Sequence, residues 1–248
     1  MSGDAKRSAE AMNEHGRGGD GTFTTDRFDT HFAGNTLGGR LAYAVARFFV
    51  CGFTQLFTRM SIRGREHLPE SGAYVIAPVH RSYIDTPIAA CVTRRRIRFM
   101  GKDTMWKSRW FGRLISTMGA FPVHRGRADR ESLKRAIAVL EGGEPLVLFP
   151  EGERKDGPIV QPLFDGAVFV AARAGTPIVP VGIGGSARVL PRSAKAMYPR
   201  KVHVVIGPEI TIPSGPSGRA ARSDISAASV ELRDELQRLF DEAQSRVG

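Results

Sequence analysis

A succession of short apolar runs, each separated from the next by a helical stripe or a charged loop, constrains this chain more than any other feature. The runs at 73–79, 99–102, 119–125, 146–149, 176–183 and 201–206 have strand length and strand composition, and a briefer one covers 61–65. Between them lie helical patterns. One starts near Thr86. Another, 105–118, places Trp106, Trp110 and Leu114 on one face. A third is capped by Asp129, striped by Leu133, Ile137 and Leu140, and stopped by Gly142 and Gly143. A fourth runs over 165–174 to Gly175, and the last, 223–245, is striped by Ile225, Leu232, Leu236, Leu239 and Phe240. This order predicts an α/β fold: a mixed, mainly parallel central sheet flanked by helices, with a site at the strand ends. The run Gly-Ile-Gly-Gly-Ser at 182–186 fits neither the dinucleotide nor the P-loop spacing and is expected to be a turn.

Residues 1–34 are glycine, serine and charge without apolar periodicity, and read as a disordered polar tail. They lack the apolar core of a secretory signal. Residues 35–60 read as an N-terminal lipophilic unit, a helix or helix pair carrying Leu41, Phe48, Phe49 and Phe53, with Arg47 among them. Its greasiest part, 41–57, is short for a membrane span and contains Arg47 and Gln55. Arg40, Arg47 and Arg59 are placed to reach phosphate level, which predicts docking onto a membrane rather than crossing it. Packing onto the core is the competing reading of this helix, and the two are compatible. Residues 61–248 form the main domain.

Charge narrows the partners. The 248 residues carry 36 Lys plus Arg against 25 Asp plus Glu, a formal net charge of +11. Lipid headgroups, phosphorylated metabolites or nucleic acid would suit it. The run Arg94-Arg-Arg-Ile-Arg98, beside the lipophilic helix, is read as a patch for an anionic membrane. No helix-turn-helix, zinc-finger or RNA-recognition signature is present, so nucleic acid is not expected. Cys51 and Cys91 stand alone and the six histidines lack ligand spacing, so no disulfide framework and no metal is expected.

The chemistry centres on His80-Arg-Ser-Tyr-Ile-Asp85. On one continuous helix, residues five apart point about 140° away from each other. Across a strand-to-helix turn, by contrast, Asp85 can hold one imidazole nitrogen of His80 while the other faces a substrate. A capping aspartate beside a structural histidine is the bland alternative. Lys102, Arg125 and Arg154 each follow an expected strand, which suggests a site for a phosphate-bearing substrate; each alone would merely solvate a strand end.

Four motifs stand in order: His80 with Asp85; Gly119, Phe121 and Arg125; Phe149, Pro150, Glu151, Gly152 and Arg154; and Ile178-Val-Pro-Val181. Together they resemble the glycerolipid acyltransferase family, in particular the bacterial 1-acylglycerol-3-phosphate (lysophosphatidate) acyltransferases. Val79, His124 and Glu153 depart from the residues common at those places, and Glu153 puts a negative charge beside the expected phosphate cradle. The resemblance implies a general base at His80 and an orienting carboxylate at Asp85. It further implies acceptor phosphate held by Arg125, Arg154, Lys102 and Gly152, with Glu151 in support. Backbone N–H groups near the His80 turn are candidate oxyanion donors. The implied reaction moves an acyl group from acyl-CoA, or from acyl carrier protein, to lysophosphatidic acid or a related acceptor, with no cofactor. Glycerol-3-phosphate, a lysophospholipid or a glycolipid are other acceptors. A basic nucleic-acid-binding protein and a non-catalytic membrane scaffold are readings of another class. The implied location is the cytoplasmic face of the membrane, peripheral or monotopic.

Overall fold

The computed structural model describes residues 37–123, 130–194, 196–213 and 220–247. The chain enters through helix α1 (Leu37–Thr58), then β1 (Ser61–Arg63), β2 (Val75–Pro78) and α2 (Asp85–Cys91). It continues through β3 (Arg98–Lys102), α3 (Arg109–Thr117), β4 (Ala120–Val123), α4 (Arg130–Glu141) and β5 (Leu146–Val147). Helix α5 (Gly166–Ala174), β6 (Ile178–Gly184), α6 (Ser186–Val189), β7 (His203–Ile206) and α7 (Arg222–Ser245) complete it. The expected cap Asp129 and the basic end of the 119–125 run, His124 and Arg125, lie outside the described residues.

The strands form one seven-stranded sheet in the order β1-β7-β6-β2-β5-β3-β4. Among the seven described strands only β6 and β7 pair antiparallel, so β7 and its parallel neighbour β1 run against the other five. The sheet is therefore mixed and mainly parallel. Strand β2 lies at its middle, between β6 and β5, and all four of its residues are buried. A strand covered on both faces reads as an unbroken apolar run rather than an alternating one, as Val75 to Pro78 does. Its C-terminal end is consequently walled by both neighbours, and it delivers His80 to the middle of that sheet edge.

Three details differ from the sequence reading. The 105–118 helix is two pieces: a 3₁₀ turn (Asp103–Lys107), then α3, which starts after an extended Ser108 whose hydroxyl accepts the Phe111 N–H. That break changes the helical phase, so Trp106 is buried while Trp110 is exposed. The glycines at 182 and 184 belong to β6, not to a turn. Helix α7 crosses β6 so closely that a Cβ at Gly182 would lie 2.3 Å from the Leu239 carbonyl, and one at Gly184 equally close to that of Ala243. Glycine is there for contact between backbones. Only Gly185, with φ +84°, makes the turn.

The N-terminal helix is longer than its greasiest stretch. Its 22 residues span about 33 Å, enough by length and composition to cross a bilayer. One face nevertheless packs on α2 and α3, burying Tyr43, Thr54 and Thr58.

Candidate active site

His80 follows β2 by two residues, and Asp85 opens α2, whose first backbone bond runs from the Asp85 N–H to the Ser82 carbonyl. The turn between them closes the distance that a continuous helix would have kept. Asp85 Oδ2 lies 3.1 Å from His80 Nδ1 and accepts the backbone N–H groups of Arg81 and Ser82, each at 2.6 Å. A carboxylate accepts and does not donate, so in the neutral imidazole Nδ1 carries the proton and Nε2 keeps its lone pair. Both side chains are buried, and the imidazole stacks on Phe149 with ring centroids 4.0 Å apart. Packing and hydrogen bonding thus fix the ring in one orientation.

Glu151 braces this turn from the loop after β5. Fully buried, it accepts the His80 N–H at 3.2 Å, Arg81 Nη1 at 2.7 Å and the Gln161 N–H at 3.2 Å. Arg81 is buried beside it. Its guanidinium also donates to the carbonyls of His80, Gly157 and Ile159, and lies 4.8 Å from the Phe240 ring centroid. A buried arginine needs such a complete set of acceptors. The Lys155 N–H donates to the His80 carbonyl at 2.9 Å, sewing the 150–155 loop to the histidine. The N–H groups of His80, Arg81 and Ser82 are all committed to Glu151 or Asp85. The turn N–H groups expected as oxyanion donors are therefore unavailable at these three positions.

Arg154 lies over Tyr83, its guanidinium carbon 3.4 Å from the ring centroid. This contact holds the planar fork while leaving its N–H edge to an anion. Gly152 has φ +71°, and a Cβ there would lie 2.7 Å from the Phe164 ring, so that aromatic sets the close approach. Glu153 pairs with Lys155 at 2.8 Å. Lys102 ends β3 and is exposed, on the same sheet edge as His80 with β5 between their strands. Arg125 lies outside the described residues. Arg81, Tyr83 and Phe149 complete the site without having been assigned these roles from sequence. Arginine and tyrosine within the His80–Asp85 segment were the available signal, but their partners lie about 70 residues on.

On α1, Leu41, Phe48, Phe49 and Phe53 are exposed, along with Leu37, Val45 and Leu56. Arg47 turns the other way: its guanidinium donates to the carbonyls of Ala90 and Thr93 and ties α1 to the C-terminal end of α2. The arginine run is likewise less a solvated patch than an anchored one. Arg98 is fully buried and paired with Glu144, Arg95 lies over Tyr74, and Arg96 lies over Tyr43. Cys51 and Cys91, isolated in sequence, meet between α1 and α2 with sulfurs 2.7 Å apart. The hydrogen bond from the Cys91 thiol lowers the Cys51 pKa to about 7, and the same pairing raises that of Cys91.

Comparison with known proteins identifies the family. The family model described as Acyltransferase matches residues 59–184, half of the chain, and includes His80, Asp85, Glu151 and Arg154. The chain is 30% identical over 156 residues to the 1-acyl-sn-glycerol-3-phosphate acyltransferase of Bacillus subtilis, covering 60% of this chain and 75% of that protein. A Streptococcus pneumoniae protein of the same name is 28% identical over 174 residues, 69% of this chain and 62% of its own. The solved structure of the 1-acyl-sn-glycerophosphate acyltransferase PlsC from Thermotoga maritima superposes with a TM-score of 0.69 at 21% identity. That match covers 86% of this chain and 84% of the other, and it shows that the fold is shared. The dyad at the end of β2, the braced loop after β5 and the family match over both place this chain in the acyltransferase family.

Proposed function

We propose that the protein transfers an acyl group from an acyl thioester, acyl-CoA, to the free hydroxyl of 1-acylglycerol-3-phosphate, giving phosphatidic acid. The single observation that carries the chemistry is the His80–Asp85 pair, with three donors converging on one carboxylate oxygen. His80 Nε2 removes the proton from the acceptor hydroxyl as its oxygen attacks the thioester carbonyl. The imidazolium so formed is balanced by Asp85, and it returns the proton to the thiolate as the carbon–sulfur bond breaks. The acyl group passes directly between substrates, without a covalent acyl-enzyme. Arg154, held by Tyr83, receives the acceptor phosphate, with Arg125 and Lys102 as further cations. Glu151 positions the His80 backbone and touches no reacting atom.

The relatives' names support lysophosphatidate as acceptor. The exposed apolar face of α1 supports docking of the protein to a membrane, which we propose is monotopic and at the cytoplasmic face. The test is a transfer assay with purified protein, crossing lysophosphatidate, glycerol-3-phosphate and a lysophosphatidylcholine with acyl-CoA and acyl carrier protein donors. The expected result is phosphatidic acid from lysophosphatidate and acyl-CoA. Efficient turnover of the other acceptors with lysophosphatidate inert would reject the assignment.

A further inference from the structure

A second cationic site lies at the opposite edge of the sheet from His80. His80 follows the C-terminal end of β2, whereas Arg94 and Arg96 precede the first residue of β3. There, Arg40, Tyr43, Ala44 and Arg47 of α1 face Arg94, Arg96 and Glu144 across a cavity of about 580 Å³. Four arginines against one glutamate leave the lining at a net charge of +3. The single acid is shared, since Glu144 pairs with Arg96 at 3.8 Å and also with the buried Arg98. Burial and then the charge of Arg98 lower the proton affinity of Arg96. The Tyr43 hydroxyl accepts the Ile97 N–H at 3.4 Å, so its own proton is available to a further acceptor. Planar guanidinium forks beside a hydroxyl suit phosphate oxygens.

The position of the cavity says how a phosphate would reach it. Its α1 wall is the flank of the same helix whose other face exposes Leu41, Val45, Phe48 and Phe49. A helix lying at the boundary of acyl chains and headgroups brings the phosphate layer level with its flanks. We propose that this cavity is a phosphate-binding site, which takes the headgroup of an anionic phospholipid while the apolar face of α1 enters the bilayer. The site rests on membrane docking by α1 and is independent of the transfer chemistry at His80.

Flotation of the full chain with vesicles tests it, using phosphatidylcholine alone and phosphatidylcholine with phosphatidylglycerol at matched ionic strength. Ala44 is exposed, so Ala44→Glu places a carboxylate in the cavity without disturbing the core. Ala227→Glu makes the same charge change on an exposed position of α7. The parent and Ala227→Glu should bind the anionic vesicles about tenfold more tightly than the neutral ones. Ala44→Glu should lose that preference and keep its binding to phosphatidylcholine, and Arg40→Gln/Arg94→Gln, at two exposed positions, should do the same. Replacing chloride by inorganic phosphate separates the two sources of ligand. Competition in the parent shows that free phosphate also occupies the site; its absence shows that the bilayer must present the group. If both cavity variants keep the preference that Ala227→Glu keeps, or if the parent has none, the site is overturned. If the parent binds neither kind of vesicle, docking by α1 has failed and the site falls with it.

Discussion

Arg154 and Arg81 carry the same charge and do opposite work with it. Arg81 is buried and makes four hydrogen bonds, to Glu151 and to backbone carbonyls, so its charge holds the loop. Arg154 rests on Tyr83 with its fork available. Arg154→Ala should therefore raise the acceptor's KM and spare the donor's. Loss of a charge-assisted hydrogen bond costs about 1.5–3 kcal/mol, roughly ten- to hundredfold. Arg154→Lys should recover part of that, since lysine restores charge without the planar fork. Titrating each substrate separately decides it; a rise in the donor's KM alone would assign Arg154 to the other substrate. The pairing of His80 with Asp85 was legible because both members lie within six residues whose flanks state strand and helix. The role of Arg81 was not, because burial of a cation becomes intelligible only with its counter-ion, and Glu151 is 70 residues away in sequence.

At the scale of elements, periodicity predicted what it could and lost what depends on a neighbouring backbone. The stripe of α7 was read from Ile225, Leu232, Leu236, Leu239 and Phe240, of which the last four are buried and Ile225 is half-buried against the core. The same method failed at Ser108, where one extended residue resets the helical phase, and at Gly182, where the missing side chain answers α7 rather than a turn. The burial of Arg98 within the arginine run was hidden for a related reason. Charge density is visible in sequence, but Glu144, which takes Arg98 into the core, is not adjacent to it. Helix α1 carries the prediction that belongs here. Replacing Phe48, Phe49 and Phe53, all exposed, by serine removes three apolar anchors and touches no catalytic group. Liposome binding should fall by at least tenfold, leaving a salt-sensitive remainder, while circular dichroism stays that of the parent. Transfer to an acceptor embedded in vesicles should fall with it, and transfer to a dispersed short-chain acceptor should not. Unchanged liposome binding by the folded variant would show that this face serves another purpose.

For the whole molecule, acid should act first where β7 meets β1 and α7. His203 is buried on β7, hydrogen-bonded through Nδ1 to Ser61, while its Nε2 has no partner among the described residues. Burial first, then the nearby charges of Arg246 and Arg63, hold its pKa below the ordinary 6.5. The unfolded chain therefore takes the proton before the folded one does. The resulting stability is complete above 6.5 and is lost as pH falls from there towards the folded value. Urea titrations between about pH 7.5 and 5.5 should show stability falling with pH, and His203→Asn should flatten that slope; an unchanged slope would place the acid sensitivity elsewhere. The topology that places His203 there also puts a central parallel strand behind His80, and the central claim concerns what that strand delivers. The direct measurement is single-turnover acyl transfer from acyl-CoA to lysophosphatidate by purified His80→Ala, beside the parent and Asp85→Asn, each matched for thermal midpoint. The predicted result is a rate lowered by roughly 10²–10⁴ for His80→Ala, a severe loss for Asp85→Asn, and folding intact in both. Transfer by folded His80→Ala at close to the parental rate would contradict the account.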